Sequence, residues 1–287
     1  MKKNKIILFL LINILFSQAE YQILTIPKNT FQLSANGGLA AIVNTYNYMN
    51  PSTLNIQNNH IGFSLIRYPA DINIYNFNLR NYSLSILDYG SLQDKLHDVV
   101  NKTFSAQEVM FQYFYNYDVR NLKLGISAGA FYSHIHHYNS FGISSSIGIN
   151  AYYKKIKSSI GLSIENLGYV LKSFTTYNNP IPLVYRFSFY KRLSSFLIGY
   201  DAKYLKESDD IQHILCLEFM ASEKINFRIS NSSYLADLLV DENDYNFLSG
   251  LGMGINIKLK GIALDIGFMN LGIAGAAYGM SLSFLRK

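Results

Sequence analysis

The chain has 287 residues, which is long enough for one large all-β unit or for two ordinary domains. Charged residues make up only 15% of the chain, against about 25% in a typical soluble domain, and aromatic residues also make up 15%. The net charge of +6 comes without a dense Lys/Arg run, which argues against a nucleic-acid partner, and the single Cys216 excludes an internal disulfide framework.

The N-terminus has the three parts of a secretory signal peptide. Residues 1–5 are basic, residues 6–16 form an apolar run, and Ser17-Gln18-Ala19 is a small-x-small cleavage site. The apolar run is too short to cross a bilayer as a helix. The sequence therefore predicts an exported protein whose signal peptide, residues 1–19, is removed to leave Glu20 as the first residue.

The segment 20–58 lacks sustained alternation of apolar and polar residues. It contains Pro27, the pair Gly37-Gly38 and the pair Asn50-Pro51, all of which interrupt regular structure. We predict an irregular segment with one short helix near residues 39–43.

From His60 onward, apolar residues recur at every second position, as at Leu251, Met253 and Ile255. A period of two is typical of β-strands that present one apolar face. The pattern predicts an all-β chain with about fourteen strands at residues 60–67, 72–78, 81–87, 105–116, 121–132, 141–153, 157–165, 183–191, 195–204, 211–221, 225–231, 247–257, 261–270 and 276–285. An even number of strands of this length is typical of a transmembrane antiparallel β-barrel, in which the last strand pairs with the first.

The connections between these strands alternate between short and long. Turns after even-numbered strands have about two to four residues, whereas three of the connections after odd-numbered strands are much longer. Short periplasmic turns and long outer loops are typical of outer-membrane barrels. A soluble secreted β-sandwich would also alternate, but it would need more charge on its outward faces.

Charged residues within the strands fall on the face opposite the apolar row. A Lys or Arg that faced lipid at the bilayer midplane would cost about 2–4 kcal/mol, so these side chains should face the lumen. The lumen charges predicted in this way are Glu165, Arg186, Asp201, Lys203, Glu218, Arg228 and Asp265. They could guide a solute, or they could form neutralising pairs that fill a narrow barrel, and we favour the pairs.

Motifs of catalysis or cofactor binding are absent from the sequence. His134 and His136 could chelate a metal from one strand face, with His137 beside them, but no carboxylate or Cys lies near. We expect exposed loop histidines and no metal site. No Gly-x-Ser-x-Gly elbow and no phosphate-binding loop occur, so we predict a protein that is not an enzyme and has no cofactor.

Two stretches near the N-terminus resemble the opening of the PorV/PorQ family of outer-membrane proteins. They are residues 31–41, which include Gly37 and Gly38, and residues 50–54, which begin with Asn50 and Pro51. Later stretches resemble the PorQ branch, namely residues 104–108, 132–140 and 165–168. The resemblance implies a FadL-like barrel of fourteen strands, residues 59–287, with segment 20–58 as a plug in its lumen.

The resemblance also implies a function. It suggests an accessory component of type IX protein secretion and surface attachment, located in the outer membrane, with membrane lipid and type IX components as partners. This hypothesis predicts partner-binding loops at 88–104, 166–182 and 232–246 and a sealed lumen. The alternative is FadL-like transport of a hydrophobic solute, which predicts an apolar pocket lined by the plug around residues 31–54.

Overall fold

The computed structural model describes residues 21–43, 48–55, 59–93, 103–175, 180–233 and 248–286. The predicted signal peptide lies outside these residues, as do parts of the three predicted long loops. The strands are β1 (Asn59–Arg67), β2 (Asn73–Leu79), β3 (Tyr82–Gln93), β4 (Thr103–Val119), β5 (Leu122–Ile135), β6 (Tyr138–Tyr153), β7 (Ser158–Lys172), β8 (Val184–Leu193), β9 (Phe196–Leu205), β10 (Asp210–Met220), β11 (Ile225–Ser232), β12 (Leu251–Leu259), β13 (Ile262–Asn270) and β14 (Ala276–Arg286).

These fourteen strands form one closed antiparallel barrel in which each strand pairs with its neighbours in the sequence. The barrel closes between β1 and β14, where Phe63 lies opposite Leu282. Closure removes the unpaired edges that an open sheet would expose. The predicted fold, an all-β antiparallel barrel of about fourteen strands, is confirmed.

The two faces of the strands differ as the alternation predicts. Along β1, Ile61, Phe63 and Leu65 are 46%, 46% and 37% exposed, whereas Ser64 and Ile66 between them are 1% and 0% exposed. The other strands repeat this pattern. Such a continuous apolar outer surface would be unfavourable in water, and it is the surface that a barrel presents to lipid. None of the helices within the described residues is long and apolar enough to cross a bilayer.

Some strands are longer than the alternation predicts. β3 continues to Gln93 and β7 continues to Lys172, into two of the predicted loops. The pairing register shifts between Asp88 and Ser91 in β3, and again where β6 meets β7 near Ser145. A bulge adds a residue to one strand and so breaks the period of two. The alternation of apolar and polar residues therefore ended before the strands β3 and β7 do.

The connection between β5 and β6 is also shorter than the predicted loop 133–140. β5 ends at Ile135 and β6 begins at Tyr138, so the turn consists of His136 and His137 alone. Polar residues in strand extensions beyond the membrane are solvated on both faces, and they therefore do not alternate as membrane-facing residues do.

The predicted helix at residues 39–43 is wrong. A short helix, α1 (Thr30–Ser34), lies earlier, and the side chain of Asn29 caps it by accepting a hydrogen bond from the Gln32 N–H at 2.9 Å. Leu39 adopts a left-handed backbone conformation with φ of 63°, which does not continue a helix. The N–H groups of Leu39 and Ala40 instead donate to the carboxylate of Asp201 in the barrel wall.

Candidate functional site: the lumen and its N-terminal segment

The described part of segment 20–58 packs against the inner face of the barrel. α1 contacts β1 and strands β11 to β14, and the 3₁₀ turn Gln22–Leu24 contacts β3 and β4. Asn50 approaches β6 and β7, where it lies beside Gly148 and Gly161. The segment therefore crosses the interior, touching strands on all sides. Several groups of polar contacts hold it there.

The first polar group centres on Arg228 of β11. Its guanidinium forms ion pairs with Glu218 at 3.0 Å and with Asp265 at 3.8 Å, and it lies 4.3 Å from the ring centroid of Phe31. Arg228 also donates to the Ser34 hydroxyl at 2.6 Å. One buried cation thus neutralises two buried carboxylates of the wall and holds the end of α1.

The second polar group centres on Arg186 of β8. The guanidinium donates to both carboxylate oxygens of Glu165, at 2.6 and 3.3 Å, and the pair is almost fully buried. A further N–H of Arg186 donates to the Gly37 carbonyl at 2.7 Å. Arg186 therefore joins an ion pair of the wall to the backbone of the N-terminal segment.

The third polar group centres on Asp201 of β9, which is 0% exposed. Its carboxylate accepts hydrogen bonds from the Leu39 N–H at 2.6 Å, from the Ala40 N–H at 3.1 Å and from the Ser188 hydroxyl. A buried carboxylate is stable when several donors surround it in this way. Asp201 thus fixes the turn that follows Gly37 and Gly38.

Lys203 is the one predicted lumen charge that the structure leaves out of these groups. It is half-buried and lies opposite Arg186 in the pairing of β8 with β9. Among the described residues, it forms no ion pair. The structure therefore brings six of the seven predicted charges into contact with one another or with segment 21–43, and it leaves Lys203 two residues before the end of β9.

The end of the barrel that carries the six short turns after even-numbered strands is called the turn end, and the opposite end the loop end. Asn50 and Pro51 lie where the segment approaches the turn end. The Asn50 side chain accepts hydrogen bonds from the Ser52 N–H at 3.0 Å and from the Ser52 hydroxyl at 2.6 Å. In β4, Asn116 donates to the Leu54 carbonyl at 2.5 Å. Gly125 of β5 faces this turn so closely that a Cβ there would overlap the Ser52 backbone, which explains the glycine.

Two charged residues of the site were missed by the sequence analysis. Glu108 of β4, only 3% exposed, accepts hydrogen bonds from the Ile23 N–H at 2.9 Å and from the Tyr89 hydroxyl at 2.8 Å. Lys28 donates to Gln112 at 3.1 Å. Both faces of β4 carry large apolar residues there, so its lumen face was hard to recognise. The available signal was that Glu108 and Gln112 lie four residues apart, and so on the same face of the strand.

The inner wall becomes apolar toward the loop end of the barrel. Six inward side chains are at most 3% exposed there, namely Ile66, Ile74, Leu87, Met110, Phe131 and Val170. They pack against Tyr21, Ile23 and Leu24 of the N-terminal segment. We call these nine residues the apolar chamber. The side chains of Tyr21, Ile23 and Leu24 cover part of this apolar wall.

A second apolar cluster lies closer to the turn end and involves residues of the predicted 31–54 region. Phe31, Leu39 and Ala41 pack there against Leu197 and Cys216 of the wall. The apolar contacts of the N-terminal segment therefore begin earlier in the chain than predicted, at Tyr21. The side chains of the segment itself occupy the space between it and the apolar wall.

The pairing of β3 with β4 is irregular beside the apolar chamber. At the β3 bulge, Gly90 has φ of 69°, and a cleft of about 510 Å³ opens there. The cleft is lined by Asp88, Gly90, Ser91, Thr103, Phe104, Ser105, Gln107 and His136. Tyr89, in the bulge itself, packs against the apolar chamber. The cleft and the packing of Tyr89 on the chamber therefore occur at the same bulge.

The three histidines lie at the β5–β6 turn. His136 and His137 are exposed, with ring centroids 3.7 Å apart, and His134 is half-buried. Within the part of the chain that the structure describes, no group of three or more His, Cys, Asp or Glu residues is placed to hold a metal ion.

Comparison with known proteins finds solved structures with a similar fold but identifies no family for this chain. No protein-family model and no curated protein matches this chain. Among solved structures, the CymD monoaromatic hydrocarbon channel is similar with a TM-score of 0.62 and 12% identity, over 90% of this chain and 97% of that chain. The Pseudomonas putida toluene transporter TodX is similar with a TM-score of 0.56 and 9% identity, over 89% of this chain and 97% of that chain.

Identities this low show a shared fold alone. The predicted closed barrel is supported at that level, and the FadL-like assignment stays a prediction. Nothing in these comparisons supports membership of the PorV/PorQ family or a role in type IX secretion, and both stay predictions.

Proposed function

We propose that this protein is an outer-membrane channel for small apolar solutes, and that segment 20–58 is a plug that closes the lumen of a barrel formed by residues 59–287. The observation that carries this proposal is the apolar chamber. A lumen that conducts water and ions is polar, whereas this wall presents Leu87, Met110 and Phe131 inward. An apolar inner wall is suited to an apolar solute, because transfer of such a solute from water is favourable by roughly 25 cal/mol per Å² of buried area.

The plug has a fixed part and a part that can exchange. Ser34, Gly37, Leu39 and Ala40 are hydrogen-bonded to buried wall charges, which anchors that stretch. Tyr21, Ile23 and Leu24 pack against the apolar wall, and their hydrogen bonds to it include those with Ser140, Glu108 and Asn166. A solute that replaced these side chains would keep the chamber wall covered, so we propose that residues 21–24 move while the remainder stays bound.

The β3 bulge supports a route into the chamber. Tyr89 packs against the apolar chamber and lies between Asp88 and Gly90 of the cleft in the sequence, and its hydroxyl is hydrogen-bonded to Glu108, which also holds Ile23. Movement of Tyr89 would therefore loosen the seal at Ile23. The CymD and TodX structures, described as a monoaromatic hydrocarbon channel and a toluene transporter, make a monoaromatic hydrocarbon the reasonable first solute to test.

The location follows from the same reasoning. The apolar outer surface needs a bilayer, and closed β-barrels with short turns and longer loops are found in outer membranes. We propose that the cleaved signal peptide 1–19 directs export and that the short turns face the periplasm.

The type IX hypothesis is retained as the second candidate, because the filled lumen also suits a protein that conducts nothing. It would place the function in the loops 88–104, 166–182 and 232–246, with type IX components as partners. Deletion of the gene separates the two hypotheses. We expect slower uptake of radiolabelled toluene by intact cells, restored by complementation, with normal secretion of type IX cargo. Lost secretion with unchanged toluene uptake would reject the channel.

A further inference from the structure

Basic side chains collect on the rim of the barrel formed by the six short turns. They are scattered along the sequence, so no basic run is visible before the chain folds. The rim cations, as we call them, are Arg80, Arg120, Lys123, Lys154, Lys155, Lys157, Lys191, Arg192, Lys224, Lys258 and Lys260. Each of the six turns or its immediate flanks contributes at least one of them.

These cations are solvent-exposed except for the half-buried Lys123. Among the described residues, the only acidic residues on this rim are Asp118 and Glu223, and the only ion pair there joins Lys123 to Asp118 at 2.9 Å. The remaining rim cations have no carboxylate partner within the described residues. Unpaired like charges at one edge repel one another, so the rim is well suited to an anionic ligand.

The opposite end of the barrel has a different balance of charge. In the described residues there, the exposed cations are Arg67, Lys172 and Lys206, whereas the acidic residues are Asp71, Asp88, Glu207, Asp209 and Asp210. Arg67 is already paired with Asp71 at 2.5 Å. Within the described residues, the excess of positive charge is therefore confined to the turn end.

Aromatic side chains lie beside the rim cations on the outer face. Near Arg80 and Arg120, the ring of Tyr82 packs at a tilt against that of Tyr113 with ring centroids 5.1 Å apart, and Tyr117 is 61% exposed. Tyr at the edge of an apolar band marks the level of lipid headgroups. The rim cations therefore lie next to the headgroup layer, at the level of the phosphates.

We propose that the rim cations bind the phosphate groups of anionic phospholipids in the periplasmic leaflet. The proposal depends on the membrane location and orientation given above and not on the transported solute. An annular ligand fits better than an acidic protein, because the charges surround the whole barrel whereas a docked protein would cover one sector. Each Lys or Arg near an anionic membrane contributes about 1 kcal/mol, which is roughly fivefold in affinity.

The test uses the full-length protein in detergent, incubated with an equimolar mixture of phosphatidylglycerol and phosphatidylcholine. After removal of free lipid, mass spectrometry gives the ratio of the two lipids that remain bound. One variant combines Lys154→Gln, Lys155→Gln and Lys157→Gln. A second combines Lys224→Gln, Lys258→Gln and Lys260→Gln, from another sector of the rim. The matched control combines Arg67→Gln, Lys172→Gln and Lys206→Gln at the loop end.

We expect the wild-type protein to retain phosphatidylglycerol in excess, with at least a fivefold lower ratio for each rim variant and an unchanged ratio for the control. High salt should lower the wild-type ratio. An unchanged ratio in both rim variants, or an equal decrease in the control, would overturn the proposal. It would also be overturned if both rim variants kept the lipid but lost a co-purifying acidic periplasmic protein.

Discussion

Arg228 of the barrel wall lies 2.6 Å from the hydroxyl of Ser34, and so it ties the end of the N-terminal helix to strand β11. The same guanidinium pairs with Glu218 and Asp265. One side chain therefore both anchors the plug and neutralises two buried carboxylates of the wall.

Replacement of Arg228 should therefore be strongly destabilising. Arg228→Leu leaves two buried carboxylates without their cation, and breaking a buried ion pair in this way costs about 3–5 kcal/mol. The free energy of unfolding in detergent, measured by urea titration, should fall by that order. Arg67→Leu is the control, because its pair with Asp71 is exposed and contributes about 0–1 kcal/mol. Equal losses from the two substitutions would show that Arg228 is not an anchor.

Glu108 should control how tightly residues 21–24 close the chamber. In the Glu108→Gln variant, the bonds from Ile23 and Tyr89 lose their charge assistance, which roughly halves their strength. We expect severalfold faster uptake of radiolabelled toluene by intact cells. Glu223→Gln, in an exposed turn, is the matched control and should leave uptake at the wild-type rate. Slower uptake in Glu108→Gln would argue that the bond to Ile23 opens the route instead of closing it.

Gly125 should be necessary for the plug to reach the turn end. A Cβ at this position overlaps the Ser52 backbone, so Gly125→Ala must displace the turn after Asn50. Limited proteolysis of the folded barrel should then cut within residues 48–55 at least tenfold faster than in the wild type. Gly62→Ala provides the comparison, because its added Cβ would have its nearest neighbours at 3.7 Å. If the cleavage rates of Gly125→Ala and Gly62→Ala were alike, the close approach at Gly125 would not be a constraint on the plug.

The sequence was a good guide wherever one face of a strand meets lipid. Alternation at positions such as Phe63 and Leu282 was enough to predict the fourteen strands and the closing pair, because a lipid-facing polar side chain is costly. The continuation of β3 past Leu87 was missed, since a bulge breaks the period of two there. The helix position was missed as well, because Asn29 acts as its cap and Leu39 has a left-handed backbone.

The interior was harder to predict than the wall. Arg186 and Arg228 could be assigned to the lumen because they alternate with apolar residues along their strands. Their contacts with Gly37 and Ser34, however, join positions more than a hundred residues apart in the chain. Glu108 was not recognised because its strand is apolar on both faces near Met110. The rim cations are the extreme case, since only the closed barrel brings them together.

The central claim is that a small apolar solute enters the chamber lined by Leu87, Met110 and Phe131. A toluene analogue that carries a photoactivatable diazirine tests it directly, with the labelled positions located by mass spectrometry of the purified protein. We expect labels on these wall residues and on residues 21–24, abolished by excess toluene. Labels confined to lipid-facing side chains such as Phe63 and Ile126, and unaffected by toluene, would contradict the account.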